Sequence, residues 1–291
     1  MKQTKQQQTT HSSAPDLHAL IIRLIAARGC TLRATQGHLA HAAFLDMLHQ
    51  ADAAVAKTVH DMHGRKPFTI SPLEGFGHGR KGTIQIKAGQ EGWLRVTLLD
   101  PTLFHTFIGY FLQGNNRPRI QLSGAPFHIS EVLGTNSSHP LAGAASLAHL
   151  QAEWASKALS RKDGDITLHF RTPTAFSLRN MPGRHMYLLP DPALVFGGLA
   201  GSWDRLSGDS TYEGTETAAA QNVGVARYHI KTHAYQYGNS VQIGFTGPVT
   251  FKILDQKNES LVRDLNRLAD LAFYTGVGYK TTMGMGQVTR E

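Results

Sequence analysis

The sequence predicts an α+β protein made of two tandem units that run through strands and helices in the same order. Three observations lead there. The chain has 291 residues, which suits two ordinary domains better than one. Its hydrophobic fraction of 41% against 17% charged residues is enough to fill proper cores. The apolar pattern alternates between a period of two and a helical period, and the same order occurs twice.

In the first half, LHALIIRLIA (17–26) is apolar and β-branched and reads as a strand. GHLAHAAFLDMLHQAD follows, with Ala40, Phe44, Met47 and Leu48 at helical spacing. AAVAKTVHD continues as a short second helix ending near Asp61, and KPFTISPLEG reads as a strand after a Gly-Arg-Lys-Pro turn. GFGHGRKG (75–82) is a basic glycine loop. GTIQIKAG and GWLRVTLLD then alternate apolar and polar residues, which predicts a hairpin. Asp100-Pro101 opens a helix through FHTFIGYFLQG, because proline suits a first helical turn. RIQLSG and PFHISEVLG close the half as strands. The order is that of a βαββαβ, ferredoxin-like unit.

HPLAGAASLAHLQAEWASKALSRKDG (139–164) is rich in small residues, and the domain junction is placed there. The second half repeats the order. DITLHFRTPTAFS is a strand broken at Pro173, and DPALVFGGLAGSWDRLSG is a helix entered at Asp191-Pro192. NVGVARYHIKTHAYQYG and NSVQIGFTGPVTFKIL form a long hairpin around Gly238-Asn239. NESLVRDLNRLADLAFYT is a helix with a stripe of Leu261, Leu265, Leu268, Ala269 and Ala272, and GQVT is a last short strand. Residues 1–15 read as a flexible polar tail, 16–145 as the N-terminal unit and 146–291 as the C-terminal unit with a glycine-rich loop over 276–286.

Composition narrows the chemistry. The net charge of +8 points to a polyanionic partner, with nucleic acid the commonest. A single cysteine, Cys30, excludes an internal disulfide and every multi-cysteine metal site. No apolar run reaches the roughly 18 residues of a membrane helix. The N-terminal stretch lacks the apolar core of a signal peptide, so a cytoplasmic location is expected.

The end of the chain, GVGYKTTMGMGQVTRE, carries two Gly-x-Gly pairs, Gly276/Gly278 and Gly284/Gly286. Glycines let a backbone approach an anion closely. Neither nucleotide motif fits. A Rossmann fingerprint needs a third glycine where Thr281 stands, and it opens a helix instead of following one. A phosphate-binding loop needs glycine directly before Lys280, where Tyr279 stands, and a helix after it. A helix-capping turn explains Gly276 but not the other three glycines.

The spacing of Gly-x-Gly, five residues and Gly-x-Gly at the C-terminus resembles the signature of the CRISPR-associated repeat-processing endoribonucleases (Cas six) of the RAMP superfamily. TPTAFS (172–177), PDPALVFGGLAGSW (190–203) and IGFTGPVTFKI (243–253) resemble the C-terminal domain of the same family. The resemblance implies two RRM-like, ferredoxin-like domains and metal-independent, cofactor-free cleavage of precursor transcripts within the repeat. It also implies repeat RNA as partner, as precursor and retained product. Effector or adaptation proteins are further partners by the same resemblance, for a monomer or homodimer. The alternative is a non-catalytic repeat-binding scaffold subunit.

RNA supplies its own nucleophile, the 2′-hydroxyl, so cleavage needs only a base, an acid and positive charge at the phosphorus. In the family a histidine ends the helical region after the first strand and a basic residue follows. KTVHDMHGRKPFTIS (57–71) resembles that segment and places these roles on His60 and Lys66. The alternative for His60 is a helix-end or surface histidine. Some members use a tyrosine on the first helix, where Leu45 stands here. His38, His41 and His49 share the helical face of Leu45, and His41 or His49 is expected to take the tyrosine's place, unless all are solvated.

The expected RNA-binding set is Lys280, Thr281 and the backbone of Gly276, Gly278, Gly284 and Gly286, with Arg80, Lys81 and Arg184 in two further loops. Arg179 and His185 flank the last of these. Arg263 and Arg267 read as a structural pair or an extension of the RNA track. Tyr235 and Tyr237 read as packing residues in preference to base-stacking ones.

Overall fold

The computed structural model describes residues 15–33, 36–77, 79, 82–112, 119–178, 185–237 and 240–291. The first half runs β1 (Leu17–Ala26), β2 (Cys30–Arg33), α1 (Gly37–Ala51), α2 (Ala53–Asp61), β3 (Phe68–Ile70), β4 (Thr83–Ile86), β5 (Glu91–Leu98), α3 (Pro101–Leu112), β6 (Arg119–Leu122), β7 (Ala125–Leu133) and β8 (Gly143–Ala145). The second runs α4 (Leu147–Ser156), β9 (Asp165–Thr174), β10 (Phe176–Leu178), β11 (His185–Tyr187), α5 (Pro192–Ser207), α6 (Thr215–Asn222), β12 (Val223–Tyr228), β13 (Lys231–Tyr237), β14 (Ser240–Ile253), α7 (Glu259–Thr275) and β15 (Val288–Arg290).

Local chemistry sets the helix ends. Asp52 separates α1 from α2. Its N–H closes the first helix on the Leu48 carbonyl, and its carboxylate accepts from the N–H groups of Ala54 and Val55 at 2.8 and 3.1 Å. Asp191 caps α5 in the same way with Pro192 in the first turn, and Gly208 ends that helix in the left-handed region at φ 79°.

Two antiparallel sheets carry the halves. The first has the order β3-β5-β1-β7-β6, with β8 also on β1; the second has β12-β14-β9-β15, with β13 also on β14. Take the four main strands of each half, β3-β5-β1-β7 and β12-β14-β9-β15. Each set lies in the order second, third, first, fourth. Phe44, Met47 and Leu48 of α1 and Leu103 and Phe107 of α3 join Leu20, Ile22, Leu24, Leu94, Val96 and Leu98 in one core. The α5 and α7 stripes join Phe170, Val249 and Phe251 in the other. The unbroken apolar run of β1 has a physical cause: its opposite face is also covered, where Ile21 meets Leu141, Ala142 and Phe273.

Three details differ from the sequence reading. β4 makes no hairpin with β5; it pairs with β2 in a separate two-stranded sheet, from Cys30↔Ile86 to Arg33↔Thr83. β9 runs through Pro173 and the break falls at Ala175, because Pro173 lies near the end of the ladder where its missing N–H costs no pairing. α6 had no legible apolar stripe.

The halves meet around Arg95, a fully buried guanidinium on β5. Nε donates to the Leu141 carbonyl at 2.8 Å, Nη1 to Gln287 Oε1 at 2.9 Å and Nη2 to the Phe273 carbonyl at 2.7 Å. The group lies 4.4 Å from the Phe273 ring centre. Burial lowers its pKa to about 9, so it remains charged at neutral pH. Arg95→Met should leave those three acceptors buried without donors, at about 1–3 kcal/mol each, partly offset because no charge is then desolvated. A loss of about 3 kcal/mol in urea unfolding is expected; an unchanged midpoint would show that Arg95 does not join the halves.

Candidate active site

The glycine-rich loop leaves α7 and threads between the two halves. Gly276, Gly278, Gly284 and Gly286 all have positive φ, at 63, 87, 92 and 69°. The space is as restrictive as the backbone. A Cβ on Gly276 would meet the Gly286 carbonyl at 2.7 Å, and one on Gly278 would meet the Ala175 carbonyl at 2.5 Å. The loop's N–H groups are largely committed inside the protein. Gly276 donates to Ala272, Val277 to Gly286, Tyr279 to Ala175 and Gly286 to Pro173. The N–H groups of Gly276 and Gly286 therefore do not face a phosphate, as the sequence had suggested. Here the glycines serve close packing. The Thr281 methyl fills the space beside Gly276 and Gly286. Lys280 adopts the left-handed conformation at φ 57°, and its carbonyl accepts from Met283 and Met285 at 2.9 and 3.3 Å. Its ammonium lies 5.3 Å from the Tyr279 ring centre.

This loop meets α1 at His41. Its Nδ1 lies 2.8 Å from the Thr282 carbonyl oxygen. A carbonyl can only accept, so Nδ1 carries the proton and Nε2 keeps its lone pair. Nε2 makes no hydrogen bond among the described residues. The ring stacks on Phe68 of β3, with centres 5.5 Å apart and 26° between planes. Burial lowers the His41 pKa most. The bond to Thr282 opposes that shift, and the charges of Lys66 and His60 add to it. The imidazole is thus held neutral and oriented.

Lys66 and His60 reach the same place from the other side. Lys66 Nζ donates to the carbonyls of Val59 and His60 at 2.5 and 2.7 Å, which satisfies the exposed C-terminal end of α2. Burial lowers its pKa, against the Asp61 charge. His60 is exposed on the last turn of α2. Beside it, Arg65 donates to Ser202 on α5 and ties the 60–66 turn to the second half. Sequence reasoning missed Arg65, and no local signal marks a partner 137 positions away.

The structure brings His41, His60, Lys66 and the loop together. It does not bring His49 in: that side chain is exposed and makes no hydrogen bond, ion pair or ring contact among the described residues. Leu45 packs against the first core. The sequence reading assigned cutting to the first unit and holding to the loop, but the His41–Thr282 bond joins both in one place. Arg80, Lys81, Arg179 and Arg184 lie outside the described residues. His185 is exposed at the start of β11. Arg263 is occupied by the carbonyls of Trp154 and Lys157 and by Glu259, and Arg267 by Tyr212 and Asp264, so that pair is structural. Tyr235 is buried, as expected of a packing residue.

Residues 16–152 match the family model of the CRISPR Cas6 N-terminal domain, and residues 168–288 match that of the CRISPR-associated endoribonuclease Cas6. A search of curated proteins finds no match. Among solved structures, the product complex of Cas6 (TTHB231) from Thermus thermophilus is 30% identical, with 96% of this chain and 100% of that chain covered and a TM-score of 0.76. The product complex of Cas6 (TTHA0078) is 28% identical over 94% of this chain and 99% of that one, with a TM-score of 0.71. A Cas6-related protein from Pyrococcus furiosus, 11% identical with a TM-score of 0.60 over 94% of this chain and 98% of that one, shares the fold. With both domain models matched in order and a 30% identical relative covered end to end, the chain belongs to the Cas6 family of CRISPR-associated endoribonucleases.

Proposed function

We propose that the protein cleaves CRISPR precursor transcripts within the repeat, without a metal ion, and that His41 is the general base. The observation that carries this reading is the clamp on His41: Nδ1 fixed by the Thr282 carbonyl, Nε2 left as acceptor, and burial favouring the neutral ring. His41 Nε2 takes the proton of a 2′-hydroxyl as the oxygen attacks the adjacent phosphorus. The O2′–P bond forms and the P–O5′ bond breaks. Lys66 supplies positive charge to the phosphorane-like transition state, and His60 protonates the departing 5′-oxygen. The products are a 2′,3′-cyclic phosphate and a 5′-hydroxyl. Relatives solved as product and substrate-mimic complexes support repeat RNA as substrate, retained after cleavage.

We read the architecture as two ferredoxin-like units, 16–145 and 146–291. The shared strand order second, third, first, fourth supports this, as does α4, whose Leu150 joins the second core. A repeat-binding scaffold is the second reading, favoured only by the apolar Leu45 where some members have tyrosine.

Incubation with the protein's own repeat RNA in EDTA separates the two. A single cut is expected, with the rate falling roughly 10²–10⁴-fold in His41→Ala while binding persists. Tight binding with no cut by the parent protein would favour the scaffold. The pH dependence has a definite sign. Neutral imidazole is the active form of His41 and its pKa lies below the ordinary 6.5, so the rising limb of the pH–rate profile should lie below pH 6.5. A rising limb above that value would remove His41 as the base. Lys280→Ala should weaken binding and lower the salt slope by about one phosphate contact. An unchanged slope would place Lys280 off the RNA track.

A further inference from the structure

We propose that Tyr235 is a positioning residue for cleavage: its hydroxyl ties the first turn of α1, which carries His41, to the glycine-rich loop that holds His41. The proposal rests on the reading of His41 as the base.

Tyr235 lies on β13 in the second half and is only 3% exposed. Its hydroxyl accepts from the Gly37 N–H at 2.9 Å and donates to the Met283 carbonyl at 3.3 Å. Gly37 opens α1, so its N–H is one of the four that a helix cannot satisfy itself. The missing acceptor comes from 198 positions away. Met283 directly follows Thr282, whose carbonyl binds His41 Nδ1. His41 lies one helical turn beyond Gly37. One oxygen therefore holds a neighbour of each partner in the His41–Thr282 bond.

Two glycines make room for this contact. A Cβ on Gly37 would overlap both the Tyr235 hydroxyl and the Met283 carbonyl. A Cβ on Gly284 would overlap the same hydroxyl and come within 2.9 Å of the Gly37 Cα. The aromatic ring needs no such arrangement, since Ala175, Met285, Met186 and Leu188 pack around it. Phenylalanine would satisfy that packing equally well. The hydroxyl is needed for the link between α1 and the loop.

The test compares Tyr235→Phe, His41→Ala and the parent in single-turnover cleavage of the repeat RNA across pH, with RNA affinity and thermal unfolding measured alongside. Tyr235→Phe is expected to bind RNA as the parent does but to cleave roughly tenfold more slowly at neutral pH, the effect of one unsatisfied N–H at the helix start. Its acidic limb should move up toward 6.5 as the imidazole loses its enclosure. A Tyr235→Phe variant that is inactive only because it has unfolded would show in the thermal measurement, and the rates are taken below that transition. If the folded variant keeps the parent limb, whether or not its rate falls, Tyr235 does not position His41. If His41→Ala still cleaves at the parent rate, the base assignment itself is overturned. An inactive His41→Ala beside an unaltered Tyr235→Phe overturns the tyrosine proposal alone.

Discussion

A buried charge without a counter-charge sets the geometry between the two halves. Arg95 is bonded by no carboxylate among the described residues; its acceptors are two carbonyls and one side-chain amide. These come from the segment after β7, from the last turn of α7 and from Gln287 at the end of the glycine-rich loop. A guanidinium loses strong hydration on burial, so every unmet N–H is costly and the three acceptors must keep their places together. Gln287 passes the constraint on. Its Nε2 donates to Thr69 Oγ1 at 3.1 Å, and Thr69 pairs with Thr97 at 2.7 Å. Thr69 follows Phe68, the ring on which His41 stacks. The register of the loop on the first sheet and the seat of the proposed base thus depend on one polar network.

The network also explains the glycines. Where the loop is buried, at Gly276, Val277 and Gly284 to Gln287, its backbone must find partners inside the protein. The bonds of Val277 to Gly286, Tyr279 to Ala175 and Gly286 to Pro173 do so, and they demand contacts that a Cβ would block. An exposed phosphate clamp would show the reverse, with N–H groups directed outward. What the loop offers the proposed site is the Thr282 carbonyl and the Lys280 charge.

Legibility in the sequence followed the range of the interactions. Strands and helices with strong periodicity, such as β1, α5 and α7, read directly, as did the caps at Asp191 and Gly276, because each depends on a few adjacent residues. The β2–β4 pairing could not be read. GTIQIKAG alternates equally well for any neighbour, and nothing local says that Thr83 faces Arg33. At the site, the segment around His60 and Lys66 was found by resemblance, but the special character of His41 was not. As a helical histidine it looks like His38 or His49. Its carbonyl partner 241 positions away fixes its tautomer, and burial, with the charges of Lys66 and His60, lowers its pKa.

In the proposed reaction, placing a lysine beside a neutral base has opposing consequences. Its charge makes His41 a weaker base, which reduces the driving force for taking a proton. It also keeps the ring unprotonated at neutral pH, so a larger fraction of molecules is ready to act. The balance favours the lysine because the reaction moves charge. Once the proton has left the 2′-hydroxyl, negative charge builds on the phosphoryl oxygens, and a fixed cation stabilises that state more than the ground state. For this proposed role Lys66 is held by the carbonyls that end α2, which spend two of its three donors and leave the third. The same helix end that presents His60 therefore anchors the charge, and the 60–66 turn acts as one unit against His41 from the neighbouring helix.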